Sequence, residues 1–210
     1  MKKILLLGGS RYLIPIIDTC HKFKYYTITC DYLPDNDAHK YSDEYHNVSI
    51  IDKEAVLSLA EKLGVDGVMS FACDPGVTTA AYVAERMGLP FQCSYESASI
   101  LQDKGMFRKF LWDNGFNCPH AKSYDDANKA IDDIDYFTWP VIVKPVDSAG
   151  SKGVTRVDYP NELRNAMETA IQGSHNGNFI IEDFITFSGY HSSADCFTVD
   201  GKLVFCTFSD

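Results

Sequence analysis

The chain has 210 residues, 45% of them hydrophobic and 23% charged, and its 29 Asp and Glu against 19 Lys and Arg give a formal net charge of -10. That acidity argues against a surface built to hold nucleic-acid phosphates, yet leaves room for a few local donors around a small anion. No apolar run is long enough to span a bilayer, and the length suits one large domain or two small ones with a real core.

The first residues, Met1 to Gly9, have a superficial likeness to a signal peptide. The apolar run is too short, and Arg11 follows with no small-residue cleavage site, so Lys3–Leu7 reads as a buried strand. Gly8-Gly9-Ser10 then turns the chain into a helix from about Tyr12 to Phe23. Tyr26–Asp31 is predicted as a second strand, Leu33–Tyr45 as a polar loop and Val48–Ile50 as a short strand. Apolar residues at Val56, Leu57, Leu59, Ala60 and Leu63 have helical spacing over Lys53–Leu63, with Gly64 as the cap. Gly67–Phe71 reads as a strand, Val77–Met87 as a helix stopped by Gly88, and Leu89–Gln92 as a last short strand. Repeated strand–helix units predict a Rossmann-like parallel sheet covered on both faces, over residues 1–96.

The rhythm changes near Glu96. A helix is predicted over Ala98–Asn114 with Gly115 as its stop, a strand at His120–Tyr124, and a helix from Ala127 to Ile134 opened by Asp125-Asp126. Strands follow at Trp139–Lys144 and Val154–Val157, a helix over Asn161–Ile171 with Pro160 at its start, and a strand at Asn178–Phe184. Phe197–Val199 and Leu203–Phe208 read as a hairpin across Asp200-Gly201. A second unit of α+β character is therefore expected over residues 97–210. It ends on one hairpin with an open edge, as a fragment of a longer protein would.

The seven cysteines are Cys20, Cys30, Cys73, Cys93, Cys118, Cys196 and Cys206. They are odd in number, scattered among core-like residues and without a Cys-x-x-Cys pair, which predicts buried thiols in a reducing cytoplasm and neither a zinc site nor a disulfide framework.

The chemistry concentrates in Pro140–Val154, Pro-Val-Ile-Val-Lys-Pro-Val-Asp-Ser-Ala-Gly-Ser-Lys-Gly-Val. An apolar strand ends in Lys144, and a loop of small residues follows. Such a loop lets backbone N–H groups turn toward a phosphate, and the lysine adds a point charge. A Walker A order is absent, because the lysine precedes the glycines. The bland alternatives are a lysine snorkelling at a strand end and a plain hairpin loop.

This order, a strand lysine, a small-residue loop and then a Glu-containing strand, resembles the ATP-grasp superfamily from about Ser97 onward. Within it the likeness is greatest to carbamoyl-phosphate-synthase-like and carboxylate–amine ligase members. The resemblance implies that Lys104, in Leu101-Gln102-Asp103-Lys104-Gly105-Met106-Phe107-Arg108, is the first phosphate lysine rather than a surface helix lysine. It implies that Lys144 is the second nucleotide lysine, and that Ser148, Ala149, Gly150, Ser151, Lys152 and Gly153 form the phosphate lid. Phe179-Ile180-Ile181-Glu182-Asp183-Phe184-Ile185 resembles the adenine hinge. There the Glu182 position, the Asp183 carbonyl, Phe184 and the Ile185 N–H would lie at the adenine edge. The family's acidic ribose ligand has no direct counterpart, and Gly189-Tyr190-His191-Ser192 occupies that region. His191 is the candidate for the ribose role, with a solvent-facing loop histidine as the alternative.

The resemblance further implies ATP and Mg2+ as cofactors, with the metal-binding Glu and Asn pair beyond Asp210. The chain alone is then expected not to turn over, and no catalytic residue is assigned. The implied activity is an ATP-dependent ligase that activates a carboxylate as an acylphosphate for attack by an amine or similar nucleophile. The expected partners are ATP and an unidentified small carboxylate or amine. A homodimer is left open, and neither nucleic acid nor membrane is expected. Two other readings stand beside it. One is a non-catalytic nucleotide-binding or regulatory module. The other is an NAD-linked oxidoreductase, suggested by Gly8-Gly9 and Asp31 about twenty residues on but lacking Gly-x-Gly-x-x-Gly. Asp74-Pro75-Gly76, at a carboxyl end of the predicted sheet, either contacts an acceptor substrate or caps the helix from Val77.

Overall fold

The computed structural model of the chain describes residues 1–190 and 192–209. His191, the ribose candidate, lies outside the described residues.

The first unit is a parallel sheet of β1 (Lys3–Leu7), β2 (Tyr26–Cys30), β3 (Glu44–His46) and β4 (Gly67–Ser70), in the order β3–β2–β1–β4. Alternate side chains of a strand face opposite ways, so a strand buried on both sides must be apolar throughout. Central β1 meets this with Leu5, Leu6 and Leu7, all 0% exposed. Leu5 and Leu7 join Ile28, Val56, Ala60, Ala80 and Val83 on one face, where α2 (Lys53–Leu63) and α3 (Val77–Met87) pack. Leu6 meets Leu13, Ile17 and Ala38 on the other face, beneath α1 (Ile14–Lys22).

Three expectations are corrected. The third strand is Glu44–His46, overlapping the end of the Leu33–Tyr45 segment predicted as polar loop, and Val48–Ile50 is not a strand. Side chains hold this polar edge: Asp43 Oδ2 accepts from the Thr27 N–H and hydroxyl, both at 2.8 Å, and Tyr45 donates to the Asp31 carbonyl at 3.0 Å. Apolar alternation could not reveal a strand held in this way. Leu89–Gln92 forms no strand, and β4 ends the sheet on that side. The predicted helix over Ala98–Asn114 is two helices, α4 (Tyr95–Gln102) and α5 (Lys104–Asp113). Asp103 breaks it by taking extended backbone (φ -90°, ψ 116°) and capping α5 through the Met106 N–H at 2.8 Å.

The second unit is an antiparallel sheet of β5 (Ala121–Tyr124), β6 (Val141–Pro145), β7 (Thr155–Val157) and β8 (Phe179–Asp183), in the order β5–β8–β6–β7. One face is covered by α6 (Ala127–Asp132) and α7 (Leu163–Gly173). Leu163, Ala166, Met167 and Ala170 follow the i, i+3, i+4, i+7 pattern and pack on Val141, Val143, Phe179 and Ile181. The other face carries Ile142 and Lys144 from β6. The hairpin of β9 (Ser193–Val199) and β10 (Lys202–Ser209) turns at Asp200 (φ 49°) and Gly201 (φ 72°), the positive-φ pair that an Asp-Gly turn supplies.

The expectation of uniformly buried cysteines is also corrected. Cys30 is buried, whereas Cys196 and Cys206 are exposed and face each other across the hairpin with their Sγ atoms 3.1 Å apart.

Candidate functional site

The open face of the second sheet and the start of α5 enclose a cleft of about 740 Å3, within the range of small-molecule sites. Register explains which side chains reach it. Ile142 of β6 lies opposite Glu182 of β8, and Lys144 lies opposite Ile180. Directly opposed residues share a face, so Ile142, Lys144 and Glu182 all point away from α7, with Lys144 and Glu182 diagonal neighbours. Lys144 Nζ donates to Glu182 Oε1, and Arg108 Nε of α5 donates to Glu182 Oε2 at 2.9 Å. The Glu182 side chain is only 8% exposed. Burial pushes its pKa up, but the hydrogen bonds and charges of Arg108 and Lys144 outweigh burial and hold the carboxyl below its ordinary range.

The broken helix brings Lys104 to the cleft. As the first residue of α5, it donates its N–H to the Val146 carbonyl at 3.0 Å and its Nζ to the Ser148 carbonyl at 2.6 Å. Burial lowers its pKa and the nearby Lys144 charge lowers it further. Close approach of α5 to the sheet depends on Gly105: a Cβ there would lie 1.8 Å from Ser123 Oγ and 2.9 Å from Ser123 Cβ.

The loop from Ser148 to Gly153 closes the other side. Gly150 (φ 66°), Ser151 (φ 58°) and Gly153 (φ 69°) all have left-handed backbone, and a serine there pays a conformational penalty that ordinary loops avoid. Ser148 to Lys152 line the cleft. Ser148 Oγ donates to the Gly173 carbonyl at the end of α7. Gly153 faces the protein: a Cβ there would lie 2.9 Å from Pro145 Cγ and 3.2 Å from the Thr169 carbonyl oxygen.

Asp183, Phe184 and Ile185, the remaining hinge candidates, are not among the residues lining the cleft. The Asp183 carboxylate accepts from the Thr138 N–H at 2.9 Å and pairs with His120 Nδ1 at 3.1 Å, so its side chain clips the end of β8 to its neighbours. The Phe184 ring lies under the Arg156 guanidinium at 4.4 Å, and its N–H donates to the Pro140 carbonyl at 3.0 Å. Ile185 is 64% exposed, and its N–H makes no hydrogen bond to another described residue.

Two contributors escaped the sequence reading. Arg108 had a signal, since it stands one helical turn after Lys104 and therefore on the same face. Asp147 had none. Its carboxylate accepts from Ser174 Oγ at 2.8 Å and from the His175 and Asn176 N–H groups at 3.1 and 3.0 Å, joining the loop to the end of α7.

Asp74, within a 3-10 turn over Asp74–Gly76, reaches the cleft from the first unit and makes no side-chain cap bond to α3. The Gly8-Gly9 turn is filled from within. A Cβ on Gly9 would lie 2.5 Å from the His39 ring, and the Asp31 carboxylate accepts from the Leu33 N–H and Asn36 Nδ2. The close approach that Gly9 permits is thus made by His39 rather than by a dinucleotide. Among the described residues, no group of three or more His, Cys, Asp or Glu side chains converges as metal ligands do. The described residues therefore offer magnesium no ligand set of their own.

Lys104, Lys144, the left-handed small-residue loop and the buried Glu182 thus line one cleft of an α/β protein, and Arg108 meets that carboxylate from α5. The chain belongs to the ATP-grasp family, whose domain model matches residues 101–210. It is 27% identical to a formate-dependent phosphoribosylglycinamide formyltransferase of Bacteroides thetaiotaomicron, over 98% of this chain and 54% of that protein. The fold matches an L-amino acid ligase from Bacillus licheniformis with a TM-score of 0.73 and 20% identity, over 97% of this chain and 48% of that one. It also matches N5-carboxyaminoimidazole synthetase from Staphylococcus aureus complexed with ADP, with a TM-score of 0.68 and 15% identity, over 89% and 48% of the two chains. The chain spans about half the length of the curated relatives it matches. Among the described residues no helix is long and apolar enough to cross a membrane.

Proposed function

We propose that the chain is the ATP-binding part of an ATP-grasp ligase, divided into a Rossmann-like unit over residues 1–96 and an ATP-grasp unit over residues 97–210. The observation that carries this reading is the convergence of Lys104, Lys144 and the Ser148–Lys152 loop on one cleft. The ADP complex of the structural neighbour supports it. In the proposed site Lys104 and the loop amides take the outer phosphates, Lys144 takes the inner one, Ile142 supplies an apolar wall for the base, and the free Ile185 N–H offers a donor to its edge.

The reaction follows from what this arrangement stabilises. A carboxylate oxygen of the substrate attacks the terminal phosphorus of ATP, and ADP leaves. An amine then attacks the acyl carbon of the acylphosphate, and phosphate leaves. The residues of this chain contribute position and positive charge to the first step, in a site where donors are fixed before reaction. Magnesium, if held by residues outside those described, would add charge neutralisation to this step.

Calorimetric titration of the chain with ATP, ADP and NAD tests the reading. ATP and ADP bind, NAD does not, and Lys144→Ala weakens ATP by at least about tenfold, the scale of one lost charge-assisted contact. Absence of ATP binding, or ATP binding indifferent to Lys144→Ala, refutes it. Phosphate release that depends on an added carboxylate and amine, measured on a protein carrying the remaining length of the relatives, tests the ligase step.

A further inference from the structure

We propose that Arg108 is a positioning residue that keeps Glu182 compensated, so that Lys144 is released to a nucleotide phosphate. The inference deepens the nucleotide reading above and rests on it. The two oxygens of Glu182 are held separately, Oε1 by Lys144 from β6 and Oε2 by Arg108 from α5. All three side chains are withdrawn from solvent, with exposures of 8% for Glu182, 16% for Lys144 and 26% for Arg108.

A buried carboxylate stripped of its only cation is strongly unfavourable. With Lys144 as sole partner, each turn of the lysine toward a phosphate would leave Glu182 in that condition. Arg108 removes the conflict. Its guanidinium cannot lose its proton and its planar fork suits a carboxylate, whereas Lys144 is a point charge on a flexible stem. The arginine is therefore the fixed partner and the lysine the mobile one. The charged groups facing this carboxylate are Arg108 and Lys104 from α5 and Lys144 from β6, and Asp103 and Asp147 face Lys104.

The test uses the full chain and four variants: Arg108→Gln, Arg108→Lys, Glu182→Gln, and Arg108→Gln with Glu182→Gln. ADP affinity is measured calorimetrically with magnesium ion present. Near pH 7.5, Arg108→Gln weakens ADP by at least about tenfold, and Arg108→Lys recovers part of the loss. In the Glu182→Gln background the same arginine change alters affinity by less than about threefold, since distant or unlinked effects would simply add. The deficit of Arg108→Gln relative to the parent shrinks toward pH 5.5, because Glu182 without its arginine takes up a proton and lets Lys144 go; comparing variant with parent cancels titration of the ligand. A nucleotide-free readout runs in parallel. Acylation of Lys144, followed by peptide mass spectrometry, slows in Arg108→Gln and speeds up in Glu182→Gln. An equal loss of affinity in both backgrounds that does not change with pH overturns the proposal, as does Lys144 labelling that ignores Arg108. A parent chain that binds no ADP removes the nucleotide reading, while the labelling still decides whether Arg108 governs Lys144.

Discussion

Gly105 sets the position of Lys104, and Gly105→Ala measures how tightly. The new Cβ would lie 1.8 Å from Ser123 Oγ and 2.9 Å from Ser123 Cβ. The hydroxyl can swing to another rotamer, at about 0.5–1.5 kcal/mol if it is forced off a minimum. The Cβ of Ser123 cannot move without β5, so α5 must retreat by several tenths of an ångström, an overpacking that costs about 1–3 kcal/mol. Alanine returns up to about 1 kcal/mol through helix propensity, less at a first turn. The expected net loss is about 1–2 kcal/mol in urea unfolding. The assay is a double-mutant cycle with Ser123→Gly, which removes both clashing atoms, so that Gly105→Ala becomes neutral or stabilising in that background. ADP affinity falls with Gly105→Ala and recovers in the double variant, because the N–H of the neighbouring Lys104 loses its register with the Val146 carbonyl. A Gly105→Ala chain as stable as the parent with Ser123 in place would refute the close packing of α5 on β5.

Asp147→Ala releases three donors just after α7, two of them to water, and is expected to cost about 0.5–1.5 kcal/mol in urea unfolding, with Asp147→Asn losing less; no measurable change for Asp147→Ala would place the carboxylate outside the structure's support. Lys104 titrates with opposite consequences for binding and folding. Its pKa is lowered by burial and by Lys144, so ADP affinity begins to fall with rising pH below the ordinary lysine value of about 10.4, and Lys104→Arg moves that fall to higher pH. The folded chain favours the neutral lysine, so the same rise in pH through the folded-state pKa adds stability, read as an increased urea midpoint; affinity and stability moving together would contradict this assignment. Glu182 acts in the acid direction: its depressed pKa contributes stability that is present above about pH 4.3 and lost as pH falls through the folded-state value, so the acid loss of stability in Glu182→Gln is smaller than in the parent.

The sequence was most readable where burial imposed a period. The three consecutive leucines of β1 and the spaced apolar residues of α7 follow directly from two-sided and one-sided burial. Strand β3 was hidden because Asp43, Thr27 and Tyr45 hold it through side-chain hydrogen bonds, which leave no apolar pattern. The break at Asp103 was missed because apolar spacing runs on through it, although an aspartate three residues before Met106 is a cap signal. Lys104, Lys144 and the loop were legible through their order along the chain. Arg108 showed only as a residue one helical turn after Lys104, and Asp147 not at all, since their partners Glu182 and Ser174–Asn176 are brought to them only by the folded sheet.

The loop after Lys144 is fastened at both ends to one helix. Ser148 bonds the Gly173 carbonyl, Asp147 holds the turn after it, and Gly153 sits against Pro145 and the Thr169 carbonyl. Only Ala149 to Lys152 hang between these contacts, a span of four residues. The stretch between them is therefore coupled to α7, and any change at the end of that helix is felt directly at the wall of the cleft.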